Sequence, residues 1–276
     1  MHPPFLLITG IPRSGTTLAA SLVDRLQNTI CVNEPGRYYN WTGGCQDSKQ
    51  FARLCMWDLE RMRRRVIAGG TVLDRREHDG SVPTNYFDET GPRRDLRMLS
   101  VGRPGANEEL LMAIKHNEPF TSVLSELCSI NEVRIVALIR HPIPTILSWQ
   151  ARGIPLSTGQ LSAGYRFWPE ALAIRDAGKS VLEVQAKMYE LYCTRYLENR
   201  DRIAIVKYED LIADPGIFER FTGRALCGGP RIIKANLTRR NHLEENIARV
   251  KNAIAENLRN AFAFYPDLNT WRIATH

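Results

Sequence analysis

A chain of 276 residues, 43% hydrophobic and 24% charged, has the composition of an ordinary globular protein, long enough for one large α/β domain or two small ones. Six scattered cysteines form no CxxC pair and no Cys/His cluster at zinc spacing, which excludes a zinc module and suits reduced, mostly packed thiols. The net charge of +7 fits an anionic ligand or partner, with nucleic acid, an acidic surface and a charged cofactor all open.

Short apolar, β-branched runs alternate with helical segments, the pattern of a parallel sheet with crossover helices. Residues 5–9 read as the first strand and 16 to about 26 as the helix after it. A second strand covers 29–33 and stops at Glu34 and Pro35. A third covers 110–115 and is broken by "HNEP". The clearest covers 133–139 and ends at Arg140, His141 and Pro142. A fifth covers 202–206 and is followed by Lys207, Tyr208, Glu209 and Asp210. Helical character extends over 48–68, with the basic run Arg61–Arg65 at its end, and again over 182–198 and 242–262. The interval 69–105 is rich in Gly, Pro and charge with no clear period, and reads as a surface excursion or lid. The chain shows no internal repeat. No stretch approaches a membrane span, and the first apolar run is short and lacks a basic leader, so a soluble, cytoplasmic protein is expected.

The first strand leads directly into "GIPRSGTT", residues 10–17. Set against the phosphate-loop pattern GxxxxGK[ST], Gly10, Gly15 and Thr17 are kept, while Thr16 stands where the lysine belongs. The glycines permit a turn whose N–H groups converge on an anion, and the following helix adds its positive N-terminus. Thr16 and Thr17 offer hydroxyls. The cation shifts to Arg13, whose planar guanidinium can bridge oxyanions. Without the lysine that shares the β/γ-phosphates with Mg²⁺, an ordinary ATPase or GTPase is disfavoured. A second anion signal lies at Arg140 and Ser148. Pro142 and Pro144 suit a helix's first turn, which leaves Arg140 at the carboxyl edge of the sheet and Ser148 about two turns along the next helix.

"PRSGTTL" with the later "LIRHPIPTILSW" resembles the sulfotransferases that use 3′-phosphoadenosine 5′-phosphosulfate (PAPS). The first motif is similar to their 5′-phosphosulfate loop, the second to their 3′-phosphate motif, with His141 in place of a frequent aspartate. "IVKYEDLIADP", residues 205–215, is similar to a segment that typically follows. The likeness is greatest to the group that includes tyrosylprotein and some carbohydrate sulfotransferases, whose loop carries arginine. It implies an α/β fold of the P-loop type: one three-layer α/β/α domain over 1–276 with a central, mainly parallel sheet. Residues 36–110 would then be an irregular or helical insertion contributing to the acceptor site.

By the same resemblance Arg13, Ser14, Gly15, Thr16 and Thr17 hold the 5′-phosphosulfate and Arg140 and Ser148 the 3′-phosphate. Tyr208 either lies near the cofactor or packs under the loop. Glu34 matches the glutamate base of the tyrosylprotein enzymes, its pKa raised by partial burial, unless it is an ion-pair partner of Arg13 or Arg37. Lys115 matches a lysine that contacts the transferred group, and His116 is the competing base. The implied reaction is in-line sulfuryl transfer from PAPS to a hydroxyl on a small molecule, sugar or peptide. It leaves 3′-phosphoadenosine 5′-phosphate and needs no metal, nucleic acid or membrane span.

A P-loop small-molecule kinase using ATP is the alternative. Trp41, Trp57, Tyr38 and Tyr39 line an acceptor pocket or pack in the core. Arg61–Arg65 form a solvated face or draw in an acidic acceptor. Arg231 or Arg239 supplies a late cofactor contact. Independently of the resemblance, Arg13, Glu34, Lys115, Arg140 and Tyr208 all fall at or just past expected strand ends, where an open α/β sheet binds its ligands.

Overall fold

The computed structural model describes residues 3–87, 93–228 and 244–268. The chain runs β1 (Phe5–Gly10), α1 (Thr16–Asp24), β2 (Thr29–Asn33), α2 (Arg37–Gly44), α3 (Ser48–Ile67), β3 (Val72–Arg76), β4 (Arg97–Val101) and β5 (Leu111–Lys115). It continues through α4 (Glu118–Ser122), α5 (Leu124–Cys128), β6 (Val133–Ile139), α6 (Pro142–Gln150), α7 (Pro169–Ala177), α8 (Val181–Glu198), β7 (Ala204–Lys207), α9 (Tyr208–Ala213), α10 (Ile217–Thr222) and α11 (Glu244–Asn257). Local chemistry sets several starts. Asp47 accepts from the Gln50 N–H and Ser180 from the Glu183 N–H to cap α3 and α8, and Pro142 opens α6, where no N–H donor is wasted.

Five strands form a parallel sheet in the order β2-β5-β1-β6-β7. β1, β2 and β5 are buried at every position, which is why they read as unbroken apolar runs and not as alternating ones. Their side chains divide between two cores. Phe5, Leu7, Ile30, Val32, Met112 and Ile114 join the core beneath α2, α3, α6 and α8. Leu6, Ile8, Cys31, Leu111, Ala113 and Leu138 join a smaller one with Ala19, Leu22 and Val23 of α1. The fold is therefore α/β, with a central parallel sheet between two helical layers. From β1 the chain crosses to the edge at β2, returns to β5 beside β1, then passes over β1 to β6. Register places Asn33 level with Lys115 and Ile139 level with Lys207, so the strands finish along one edge and the loops after them share a crevice.

Within the interval 69–105 the described residues carry more regular structure than their composition implies. β3 and β4 pair as an antiparallel ribbon, with Val72 opposite Val101 and Arg76 opposite Arg97. The ribbon is inverted in polarity: Asp74 and Arg76 are buried, while Leu73 and Met98 are exposed. Arg76 donates to Asp74 at 2.7 Å, to Asp24 at 2.6 Å and to the Cys31 carbonyl at 2.9 Å. The two carboxylates in turn accept the N–H groups of Asn33 and Cys31, so this network holds the end of β2 from which Glu34 emerges. Burial lifts the Asp74 carboxyl to about 6 even beside Arg76. Arg76→Met is expected to destabilise the fold by about 3–5 kcal/mol in urea denaturation, because two carboxylates lose their common cation. A loss under about 1 kcal/mol would show that the arginine contributes only packing.

The last helix is shorter than its periodicity suggests. α11 ends at Asn257, and a 3-10 turn, Asn260–Ala263, follows it. No helix among the described residues is long and apolar enough to cross a membrane.

Candidate active site

The loop after β1 is shaped by close packing. A β-carbon on Gly10 would lie 2.6 Å from the Leu138 carbonyl oxygen, and one on Gly15 (φ 89°) would lie 2.4 Å from Tyr208 Cδ2. Tyr208 therefore packs directly against the loop. The loop is pinned to β6 and α6: the Ile11 N–H donates to the Leu138 carbonyl at 2.9 Å, and Trp149 Nε1 donates to the Pro12 carbonyl at 2.7 Å. The first bond of α1 runs from the Ala19 N–H to the Gly15 carbonyl. The N–H groups of Thr16, Thr17 and Leu18 thus have no acceptor within the helix, and all three residues line a cavity of about 930 Å³ at the sheet's carboxyl edge. That volume is near the top of the range of roughly 300–1,000 Å³ typical of small-molecule sites.

Ser14 departs from expectation. Its side chain is fully buried, and its hydroxyl donates to the Leu138 carbonyl at 2.8 Å, away from the cavity. The serine fastens the loop, and its hydroxyl is not offered to a phosphate.

Cations gather over this loop. Arg13 is held in the left-handed region (φ 72°), a conformation costing an arginine about 1–2 kcal/mol that the surrounding anchors sustain. Its Nε donates to Ser148 Oγ at 3.2 Å, and its guanidinium lies 4.9 Å from the Phe87 ring centroid. Arg140 stacks over Tyr208 at 4.5 Å and reaches the Arg13 carbonyl at 3.4 Å. Arg152, in the turn after α6, lines the same cavity. Burial, then the charges of Arg152 and Arg140, push the Arg13 guanidinium down to about 10, so it stays cationic at neutral pH. A third guanidinium at this position is not legible from any motif.

Glu34 is also left-handed (φ 50°), and its N–H donates to the Lys115 carbonyl at 2.8 Å. Its carboxylate pairs with the Lys115 ammonium, a side chain only 2% exposed; Arg37 turns away to Asp58. The expected rise in the Glu34 pKa does not occur. Burial raises it, but Lys115 above all, with His116 and Arg13, outweighs burial and holds the carboxyl below its ordinary value. His116 is excluded from the cavity. It is fully buried between Tyr38, Tyr39 and Phe120, and burial pushes its imidazole down to about 4 against the pull of Glu34. It is neutral at pH 7 and out of reach of a substrate, so it is not the base.

The structure thus brings Arg13, Gly15, Thr16, Thr17, Glu34, Lys115, Arg140, Ser148 and Tyr208 to one cavity. Glu118 and Asn117 join them without any sequence signal, because "HNEP" reads only as a strand stop. Thr84, Asn85, Tyr86, Phe87 and Arg93 bring the ribbon's connecting segment to the cavity wall. Of the four aromatics in question, Tyr39 lines the cavity, Tyr38 is core, Trp41 packs against the core and Trp57 is 58% exposed. Within the basic run Arg63 is buried, donating to the Leu110 carbonyl, while Arg61 and Arg64 pair with Asp58 and Glu60. Arg231 and Arg239 lie outside the described residues.

No protein-family model matches the chain, and no curated protein matches it either.

Proposed function

We propose that this protein is a sulfotransferase that moves the sulfuryl group of PAPS to an acceptor hydroxyl. The observation that carries the reading is the Arg13–Ser148 hydrogen bond. It joins two anion-binding elements 135 residues apart, so that the loop after β1 and the Arg140–Ser148 pair after β6 open on one cavity. A nucleotide phosphorylated at both the 5′ and 3′ positions uses two such elements, whereas the single polyphosphate chain of ATP needs only one. Three guanidinium groups and the unpaired N–H groups at the start of α1 fit that double charge.

The bound cofactor would supply the activated sulfuryl group. Arg13, Thr16 and Thr17 hold its 5′ end, Arg140 and Ser148 hold the 3′-phosphate, and Tyr208 braces Gly15. Glu34 receives the acceptor's proton. Proton arrival at that carboxylate dissolves its ion pair and leaves the Lys115 ammonium unmatched beside the loop, where it stabilises developing negative charge.

Titration with adenosine 3′,5′-bisphosphate, against ATP–Mg²⁺, tests the reading. The bisphosphate is expected to bind at least about tenfold tighter. Tight ATP–Mg²⁺ binding without bisphosphate binding would sink it in favour of a P-loop kinase.

A further inference from the structure

Charge in the cavity is divided. Arg13, Arg140 and Arg152 gather at the loop, while the far side turns acidic and phenolic with Glu118, Tyr39 and Tyr165. Glu34 lies between them, its charge matched by Lys115. Glu118 has no such match. It makes no ion pair among the described residues and accepts a hydrogen bond from the Tyr39 hydroxyl at 2.9 Å. Burial, then repulsion from Glu34, pushes its pKa up, against the pull of its own N–H, the Tyr39 hydroxyl and the more distant Lys115 charge. Beside it Asn117, only 6% exposed, lines the same cavity, and its Oδ1 has no hydrogen-bond partner.

This corner is held in place from behind. The Thr9 hydroxyl donates to the Asn117 carbonyl at 2.8 Å and bonds the Thr121 hydroxyl at 2.7 Å. A β-carbon on Gly164 would lie 2.9 Å from Glu118 Cβ, so the 3-10 turn Ala163–Tyr165 closes directly over the glutamate.

Glu118 is half-buried, and a carboxylate withdrawn from water is stable when it meets both donors and a cation. Among the described residues Glu118 meets two donors, its own N–H and the Tyr39 hydroxyl, while the one cation that acts on it, Lys115, is already paired with Glu34, and Asn117 adds an open acceptor. A neutral hydroxyl can fill the hydrogen bonds but leaves the charge uncompensated. A primary ammonium offers three donors and cancels the charge. We propose that the acceptor is an amino-hydroxy compound, an amino sugar or amino alcohol, whose ammonium is held by Glu118 and Asn117 while its hydroxyl faces Glu34 and Lys115. This rests on the sulfotransferase reading and narrows it to a substrate class.

The test uses the whole protein saturated with adenosine 3′,5′-bisphosphate and calorimetric titration of matched probes: glucosamine against glucose, and tyramine against 4-ethylphenol. The amine of at least one pair is expected to bind about tenfold tighter than its neutral partner, the value of one charge-assisted hydrogen bond. Glu118→Gln should erase that preference while still binding the bisphosphate. Equal binding within both pairs, tighter binding of the neutral members, or no binding of either amine at millimolar concentration overturns the proposal. A preference that survives Glu118→Gln does the same. Should that variant lose bisphosphate binding, the wild-type comparison decides alone. Failure of the wild type to bind the bisphosphate brings down the sulfotransferase reading and this inference with it. Bisphosphate binding without an amine preference brings down only the acceptor class.

Discussion

Arg140→Ala is expected to weaken binding of adenosine 3′,5′-bisphosphate by roughly a hundredfold, about 2–3 kcal/mol, while adenosine 5′-phosphate loses only a few-fold. The difference follows from where the guanidinium sits. It emerges after the last residue of β6, stacks on Tyr208, and makes one long contact of 3.4 Å to the Arg13 carbonyl, which leaves most of its five donors for a ligand. Losing the stack costs the protein little, about 0.5–1 kcal/mol at a partly exposed site. Losing the donors removes a charge-assisted partner from one phosphate and not the other. Arg140→Lys should recover only part of the affinity, because a point charge keeps neither the planar stack nor the forked donors. Calorimetry with both nucleotides checks this. Equal losses for the two would show that Arg140 acts only by bracing Tyr208 and the loop.

Ser148 reports on the same geometry from the other side. Its hydroxyl accepts from Arg13, so Ser148→Ala releases the loop arginine as well as removing the hydroxyl proposed to hold the 3′-phosphate. The coupling between the two elements explains why neither motif could be read fully alone. "GIPRSGTT" reads as an anion loop, and "RHPIPTILS" as an arginine and a serine on successive elements. Only the parallel pairing of β1 with β6 places them together.

All five strands of the parallel sheet were legible, to within a residue or two at their ends, because buried parallel strands are continuous apolar runs bounded by polar stops. The β3–β4 ribbon was not. Its inward face carries Asp74 and Arg76, and its outward face Leu73 and Met98, so its charge reads as surface although it forms a satisfied buried network. Short helices such as α2, α4 and α5 left too few residues for a period to show.

In the site, strand-end residues were legible by position, since the crevice of an open sheet is fixed by topology. What lay beyond reach was the direction of each side chain. Ser14 turns its hydroxyl down to β6, His116 turns into an aromatic cage, and Lys115 takes Glu34 as its partner. Glu118, at the start of α4, and Arg152, in the turn after α6, belong to no motif and reach the cavity through the elements that carry them.

The second large effect falls on turnover. Glu34→Gln is expected to slow sulfuryl transfer by about 10²–10⁴-fold, the usual contribution of a positioned base, with bisphosphate affinity nearly unchanged. The pH dependence tells this role apart from a structural one. Lys115 leads the charges that hold the Glu34 carboxyl below its ordinary value against the pull of burial. Lys115→Met leaves burial dominant, so the acid limb of the pH–rate profile should move to higher pH.

Stability follows with a definite sign. A depressed carboxyl pKa stabilises the fold above the unfolded-chain value near ~4.3, and that contribution disappears as pH falls through the folded value. Lys115→Met should therefore cost most at neutral pH and least in acid. The Glu34 side chain is 31% exposed, so the neutral-pH loss is discounted from the buried-pair figure to about 1–2 kcal/mol. If stability changes in this way while the acid limb stays in place, the pair is structural and the proton goes to another group. If both move together, the residue that stabilises the sheet edge is also the one that receives the proton.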